Sequence, residues 1–205
     1  MLLTTLPGIG LRVSRFIFGT AGLLNAGSYG RRQRLLRSAV DAGFTHFDTA
    51  PYYGFGVAER DLREVFRAKP EITFTTKVGL YPPGGADQSV AAVLLRKTLG
   101  RACRSLSKPL VNFSVSAARI SLQDSLRRTD RDCVDVFLLH DPIAGLVATD
   151  EWQKWLESCV TSGKVRYFGL ASFSPSIQPF LDSCSPLASV VQLRDSIEER
   201  EADIL

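Results

Sequence analysis

Cysteine is sparse in this sequence: Cys103, Cys133, Cys159 and Cys184 stand far apart, with no Cys-x-x-Cys pair. No histidine is spaced to complete a zinc site with them, so free thiols are expected and a structural zinc centre is not. Histidine is scarcer still. His46 and His140 are the only two, which excludes a His-rich metal site. Long apolar runs are missing, since none approaches the roughly 18 residues that a membrane helix needs. The start, Met1-Leu2-Leu3-Thr4-Thr5, lacks the charged beginning and apolar centre of a secretion signal. A cytoplasmic protein with no membrane partner is expected. Charge of one sign is lacking too: 25 Lys and Arg against 21 Asp and Glu leave +4, too mild and too scattered to argue for nucleic acid. What is present, 45% hydrophobic and 22% charged residues, suffices for a globular core.

Short β-branched and aromatic runs alternate with longer amphipathic stretches, the pattern of βαβ units around a parallel sheet. Six runs are expected as strands: Phe16 to Thr20, Phe44 to Asp48, Ile72 to Lys77, Val134 to Leu139, Val165 to Leu170, and Ala188 to Gln192. Between them the spacing predicts helices. One runs from Arg31 to Ala42, with Leu35, Leu36, Ala39 and Val40 on one face and Gly43 as its stop. The next, about Ala58 to Ala68, turns Leu62, Val65 and Phe66 inward and ends before Pro70. Ser116 to Arg128 has Ile120, Leu122 and Leu126 on its apolar face, and Glu151 to Ser162 stops at Gly163. Ser174 is the expected N-cap of a short helix with Pro175 in its first turn. A last helical segment is expected from Ser196 to Leu205.

The stretch between Gly79 and Phe113 exceeds an ordinary βα loop and reads as an insertion, at about residues 80–113, within one domain spanning 1–205. Tyr81-Pro82-Pro83-Gly84-Gly85 opens it as a loop. Val90, Val93, Leu94 and Thr98 then recur at helical spacing, with Arg96, Lys97, Arg101 and Arg104 elsewhere on the wheel. A solvated basic face is the plainer reading of those cations, and phosphate or nucleic-acid contact is the alternative. The want of interleaved aromatics favours the first.

In parallel α/β architectures, functional side chains gather where strands end and βα loops begin, because those ends converge on one face. Asp48 ends the second run, Lys77 the third and His140 the fourth, while Tyr53 lies five residues past Asp48. Each alone has a structural role open to it: a loop carboxylate, a strand-end lysine, a core imidazole, a half-buried aromatic. Four at equivalent positions point to one mouth. An ammonium near a phenol oxygen stabilises the phenolate, so Lys77 is expected to lower the pKa of Tyr53 while Asp48 keeps the lysine charged and in place. Tyr53 then serves as a proton donor and His140 orients a carbonyl. No group here supplies electrons, so the missing reactant is a cofactor such as a reduced nicotinamide.

Phe47-Asp48-Thr49-Ala50-Pro51-Tyr52-Tyr53-Gly54, with Glu59 beyond it, resembles the signature of the aldo-keto reductases. Thr75-Thr76-Lys77-Val78-Gly79 and Leu138-Leu139-His140-Asp141-Pro142 match the family's next two blocks, and Ser162 to Gly169 resembles the approach to its fifth strand. The branch acting on sugars, with L-galactose and D-threo-aldose 1-dehydrogenases, is the most similar. The resemblance implies a (β/α)8 barrel of the TIM type, binding NADP or NAD in extended form and acting on a small carbonyl or sugar substrate within carbohydrate metabolism. It implies a catalytic tetrad of Asp48, Tyr53, Lys77 and His140. It also implies cofactor contacts from Gly19, Thr20 and Ala21 in the first turn, from Asp48, from Ser172, and from Gln192 in the sixth strand. Ser172 stands where the family commonly has an asparagine.

Such a barrel takes about 250 residues, and only six of its eight βα units are expected here, so the segments that grip the cofactor's pyrophosphate are not among them. Two barrel edges left open would favour self-association. The alternative to a reductase is therefore a catalytically impaired remnant acting as an interaction module.

Overall fold

The computed structural model describes residues 1–100, 103–147, 149–193, 198, 200 and 203. β1 (Leu3–Thr5) and β2 (Arg12–Ser14) form an antiparallel hairpin. Strands and helices then alternate through β3 (Phe18–Gly19), α1 (Tyr29–Asp41), β4 (His46–Asp48), α2 (Val57–Ala68) and β5 (Thr73–Val78). An excursion follows, with β6 (Leu80–Tyr81), α3 (Val90–Leu99) and β7 (Leu110–Val111). The alternation resumes with α4 (Val115–Thr129), β8 (Val134–His140), the single turn α5 (Ala144–Val147), α6 (Asp150–Thr161), β9 (Val165–Ser172), α7 (Ser174–Asp182) and β10 (Val191–Leu193).

β3, β4, β5, β8, β9 and β10 pair side by side in chain order, every pair parallel. Alternation along β8 shows the two faces of this curled sheet. Phe137 and Leu139 join the main core with Trp155 and Leu156 of α6. Val136 and Leu138 turn the other way and pack with Leu11 and Val13 of the N-terminal segment, which covers the inner face. The result is an incomplete (β/α)8 barrel in which six parallel strands are described, as the family resemblance implies.

Several boundaries and faces differ from expectation. The first strand is two residues rather than Phe16 to Thr20, because β3 has a neighbour on one side only and leaves Phe16 and Ile17 exposed. At the other edge Ala188 belongs to a 3-10 turn, Pro186–Ala188, so β10 starts at Val191; a proline at that turn has no N–H for a ladder. Val190 still pairs through its carbonyl with Leu170 N at 2.8 Å. That approach is possible because residue 169 is glycine: a Cβ there would lie 1.9 Å from Val190 O. Tyr81 is not in a loop. It forms part of β6, which pairs with β7 and closes the excursion at its base. Phe173, not Ser174, is the N-cap residue of α7, and Ser174 enters the first turn ahead of Pro175. The segment expected from Ser196 to Leu205 falls mostly outside the described residues, as does Arg101.

Leu35 and Ile120, expected on the apolar faces of their helices, are exposed. The reason in both helices is a buried face that carries polar residues. α1 buries Arg32 and Gln33 beside Leu36 and Ala39, and α4 buries Ser121, Ser125, Arg128 and Thr129 beside Ala118 and Leu122. Arg32 Nε reaches Asp61 Oδ2 of α2 at 2.5 Å, and Arg128 Nε reaches Glu59 Oε2 of the same helix at 2.6 Å. Among the described residues no helix is long and apolar enough to cross a membrane.

Candidate active site

β4, β5 and β8 are adjacent and parallel, so their C-terminal ends place Asp48, Lys77 and His140 at one end of the sheet. The loop after β4 folds back through a turn closed by Tyr53 N to Ala50 O at 3.0 Å, and returns Tyr53 over the same end. Lys77 is the centre of the arrangement and is 2% exposed. Its Nζ donates to Asp48 Oδ1 at 2.5 Å, to Thr49 O at 3.2 Å and to Tyr53 Oη at 3.3 Å. All three donor directions of the ammonium are thereby used. The His140 ring stands edge-on to Tyr53, with centroids 6.1 Å apart. All four expected side chains therefore meet: Tyr53, Lys77 and His140 line a cavity of about 290 Å³ whose wall also includes Asp141, Ser172, Phe173 and Gln192, and Asp48 holds Lys77 from behind that wall.

The electrostatics differ from expectation at the phenol. Burial pushes the Tyr53 pKa up, and Asp48 and Asp141 push it further in the same direction, so the expected lowering by Lys77 is outweighed. Two carboxylates and a dry environment disfavour a further negative charge. Tyr53 therefore keeps its proton at neutral pH. Burial also pulls the Lys77 pKa down, against the attraction of Asp48. His140 is lowered to about 4, first by burial and then by Lys77. Its imidazole is accordingly neutral at pH 7 and offers a hydrogen bond rather than a charge.

Several of the residues expected to contact a cofactor also make hydrogen bonds within the chain. Gly19 pairs with Asp48 across the sheet. Both the backbone N–H and the hydroxyl of Thr20 donate to Asp48 O at 2.9 Å, so Thr20 anchors the strand end. Ala21 lines a second cavity that shares Tyr53 with the first. Ser172 donates to Asp141 Oδ1 at 3.0 Å, and Gln192 Nε2 donates to Asp48 Oδ1 at 3.2 Å. Gln192 Oε1 and His140 Nδ1 are buried without a hydrogen-bond partner among the described residues. Neither Asp141, in the wall of the first cavity, nor Lys97, in the wall of the second, was foreseen. Asp141 had a usable signal, its position directly after a strand-ending histidine; Lys97 had none, because the fold of the insertion decides where it goes.

His46, one residue pair away from Asp48, is also neutral. Thr73 donates its hydroxyl to Thr45 O at 3.2 Å, so its oxygen accepts from His46 Nδ1 at 2.7 Å, and His46 Nε2 accepts from the Thr75 hydroxyl at 2.8 Å. Burial lowers the His46 pKa from 6.5 to about 4. Between those values the unfolded chain takes up a proton that the folded chain does not, so stability is full above pH 6.5 and falls on acidification towards pH 4. The loss is on the order of 3 kcal/mol at this residue. Because His140 titrates over the same window, urea unfolding of the protein and of His46→Gln at pH 7 and pH 4.5 isolates the His46 share. An unchanged pH dependence in His46→Gln would contradict this assignment.

The pattern described as the aldo/keto reductase family matches residues 15–191. A 6-dehydroglucose reductase of Novosphingobium aromaticivorans is 33% identical over 69% of this chain and 41% of its own length. A D-threo-aldose 1-dehydrogenase of a Pseudomonas species is 31% identical over 65% of this chain and 41% of its own. The chain thus spans less than half of these relatives. Among solved structures, an aldo-keto reductase of Bacillus halodurans superposes with a TM-score of 0.76 at 22% identity, over 96% of this chain and 58% of that one. A pattern matched over residues 15–191, together with a relative 33% identical over 69% of the chain, leaves one assignment: this chain belongs to the aldo/keto reductase family.

Proposed function

We propose that the chain carries the carbonyl site of an NAD(P)-dependent oxidoreductase that interconverts an aldehyde, ketone or sugar lactol with its reduced or oxidised counterpart. The observation that carries this reading is the position of Lys77 Nζ between Asp48 Oδ1 and Tyr53 Oη at the wall of a cavity. The residues fit the nicotinamide end of the cofactor. Gln192, fixed to Asp48 through Nε2, keeps Oε1 available as an acceptor for a carboxamide N–H. Bound there, a reduced nicotinamide would supply the hydride.

The chain's own residues manage the proton. Tyr53, protonated because its surroundings reject the phenolate, gives its proton to the substrate oxygen as charge develops on it. Lys77 then stands 3.3 Å from the phenolate oxygen, in a site where that attraction is little screened. Asp48 holds Lys77 in position throughout. His140, neutral, aims a hydrogen bond at the carbonyl oxygen and fixes its approach. The raised pKa of Tyr53 favours this reductive direction, because accepting a proton in oxidation would require the phenolate first.

Fluorescence titration with NADPH and with NADH, followed by measurement of nicotinamide oxidation in the presence of a small aldehyde, tests the proposal. Quenching with saturation and aldehyde-dependent oxidation are expected. A protein fluorescence that does not respond to millimolar amounts of either nucleotide would sink the reading.

A further inference from the structure

The excursion after β5 helps to build a second cavity, about 210 Å³, that shares Tyr53 with the first. Ala21 bounds it from the turn after β3, Tyr52 and Phe55 from the loop after β4, and Lys97 from α3. Tyr53 is in the wall of both cavities, so the second lies beside the side chain that meets the carbonyl in the first. The scaffold around Lys97 is fixed. Val93, one helical turn earlier, is fully buried and packs in a cluster with Leu24, Phe55 and Val57. The Tyr52 hydroxyl donates to Ser107 O at 2.6 Å, which ties the segment after α3 to the loop that carries Tyr53.

Lys97 is the single charged residue in this wall. Its neighbours there are aromatic, Ala21, Gly54 and Ser107, no carboxylate lines the cavity, and Lys97 makes no ion pair among the described residues. A half-buried cation with apolar walls and no counter-charge is completed by an anion, because the entering group forms charge-assisted hydrogen bonds in a space where water screens them poorly. We propose that this cavity receives the anionic end, a phosphate ester or a carboxylate, of the carbonyl substrate, and that Lys97 selects for it. The inference rests on the reading of the first cavity as the carbonyl site, and it names the substrate class of that site as short carbonyl compounds bearing a negative charge.

Calorimetric titration of the whole protein with glyceraldehyde, glyceraldehyde 3-phosphate and succinate semialdehyde tests it, with inorganic phosphate as competitor. The charged probes are expected to bind about tenfold more tightly than glyceraldehyde, and the better of the two identifies phosphate or carboxylate as the preferred end. Lys97→Ala should abolish that preference, and Lys97→Arg should retain most of it, which excludes a folding defect as the cause. Ring resonances of Tyr53 should shift on binding of the charged probes. The proposal is overturned if the preference survives in Lys97→Ala, or if charged probes bind through Lys97 without moving the Tyr53 resonances. Nicotinamide oxidation keeps the two readings separable. Turnover with Lys97-independent binding overturns the anion subsite alone, whereas Lys97-dependent binding that shifts Tyr53, with no turnover of any carbonyl, overturns the reductase reading and supports the subsite.

Discussion

Tyr53→Phe is expected to lower the rate of carbonyl reduction by a factor of about 10² to 10⁴, the usual worth of a positioned general acid, while nucleotide binding stays within about twofold. That range corresponds to about 2.7 to 5.4 kcal/mol of transition-state stabilisation. The substitution removes one oxygen and little else. Tyr53 Oη is bonded to Lys77 Nζ, and Lys77 keeps Asp48 and the Thr49 carbonyl when the phenol is gone, so the ring can remain in its place beside His140. Comparison of kcat/KM with the dissociation constant for NADPH separates the two effects. The raised pKa of Tyr53 adds a sign: because the phenol holds its proton well above neutrality, the reductive rate should not fall through an ionisation of this residue between pH 6 and 9. A variant as active as the parent would show that the proton comes from elsewhere, and the roles assigned to Lys77 and Asp48 would fall with it.

The alternation of apolar runs was enough to read six parallel strands in their order, because each run is short, rich in β-branched and aromatic residues and separated by an amphipathic stretch. The convergence of Asp48, Tyr53, Lys77 and His140 was legible for a related reason: in a parallel sheet, the position of a residue at the end of a strand already says which face of the molecule it reaches. Helix faces were harder. Leu35 and Ile120 look like core residues by hydropathy, yet the inner faces of α1 and α4 are set by Arg32 and Arg128. Their partners, Asp61 and Glu59, lie 29 and 69 residues away, and no local pattern announces a buried arginine whose counter-charge is on another helix. The direction of the Tyr53 shift was misread because the attraction of one lysine was visible in the sequence whereas burial and the approach of Asp141 were not. Lys97 belongs to the same class: its helix was foreseen, but the cavity it faces depends on how the excursion folds back over Tyr53.

Arg128→Met is expected to destabilise the fold by about 3 to 5 kcal/mol, the cost of leaving one member of a buried ion pair without its partner. Arg128 and Glu59 are both nearly inaccessible. Arg128 Nε donates to Glu59 Oε2 at 2.6 Å, and Nη2 donates to Ser125 Oγ at 3.3 Å. The other carboxylate oxygen, Oε1, accepts from the Thr76 hydroxyl at 2.7 Å. Glu59 thus ties α4 to β5 at the residue next to Lys77. Arg128 also lies 3.5 Å from Asp87, which Arg60 and Arg127 reach from α2 and α4, so the same arginine helps seat the excursion on the barrel. The seating is close enough that a Cβ at Gly56 would lie 1.7 Å from Ala86 O. Methionine preserves the bulk of the arginine stem and removes the charge, which confines the loss to electrostatics and hydrogen bonding. Adding Glu59→Gln should restore part of the stability, because the uncompensated charge goes while the amide still accepts from Thr76. Urea unfolding of the two single variants and the double variant measures the coupling. If Arg128→Met costs less than about 1 kcal/mol and Glu59→Gln restores nothing, water reaches Glu59 and the junction between the excursion and the barrel is held by its apolar contacts instead.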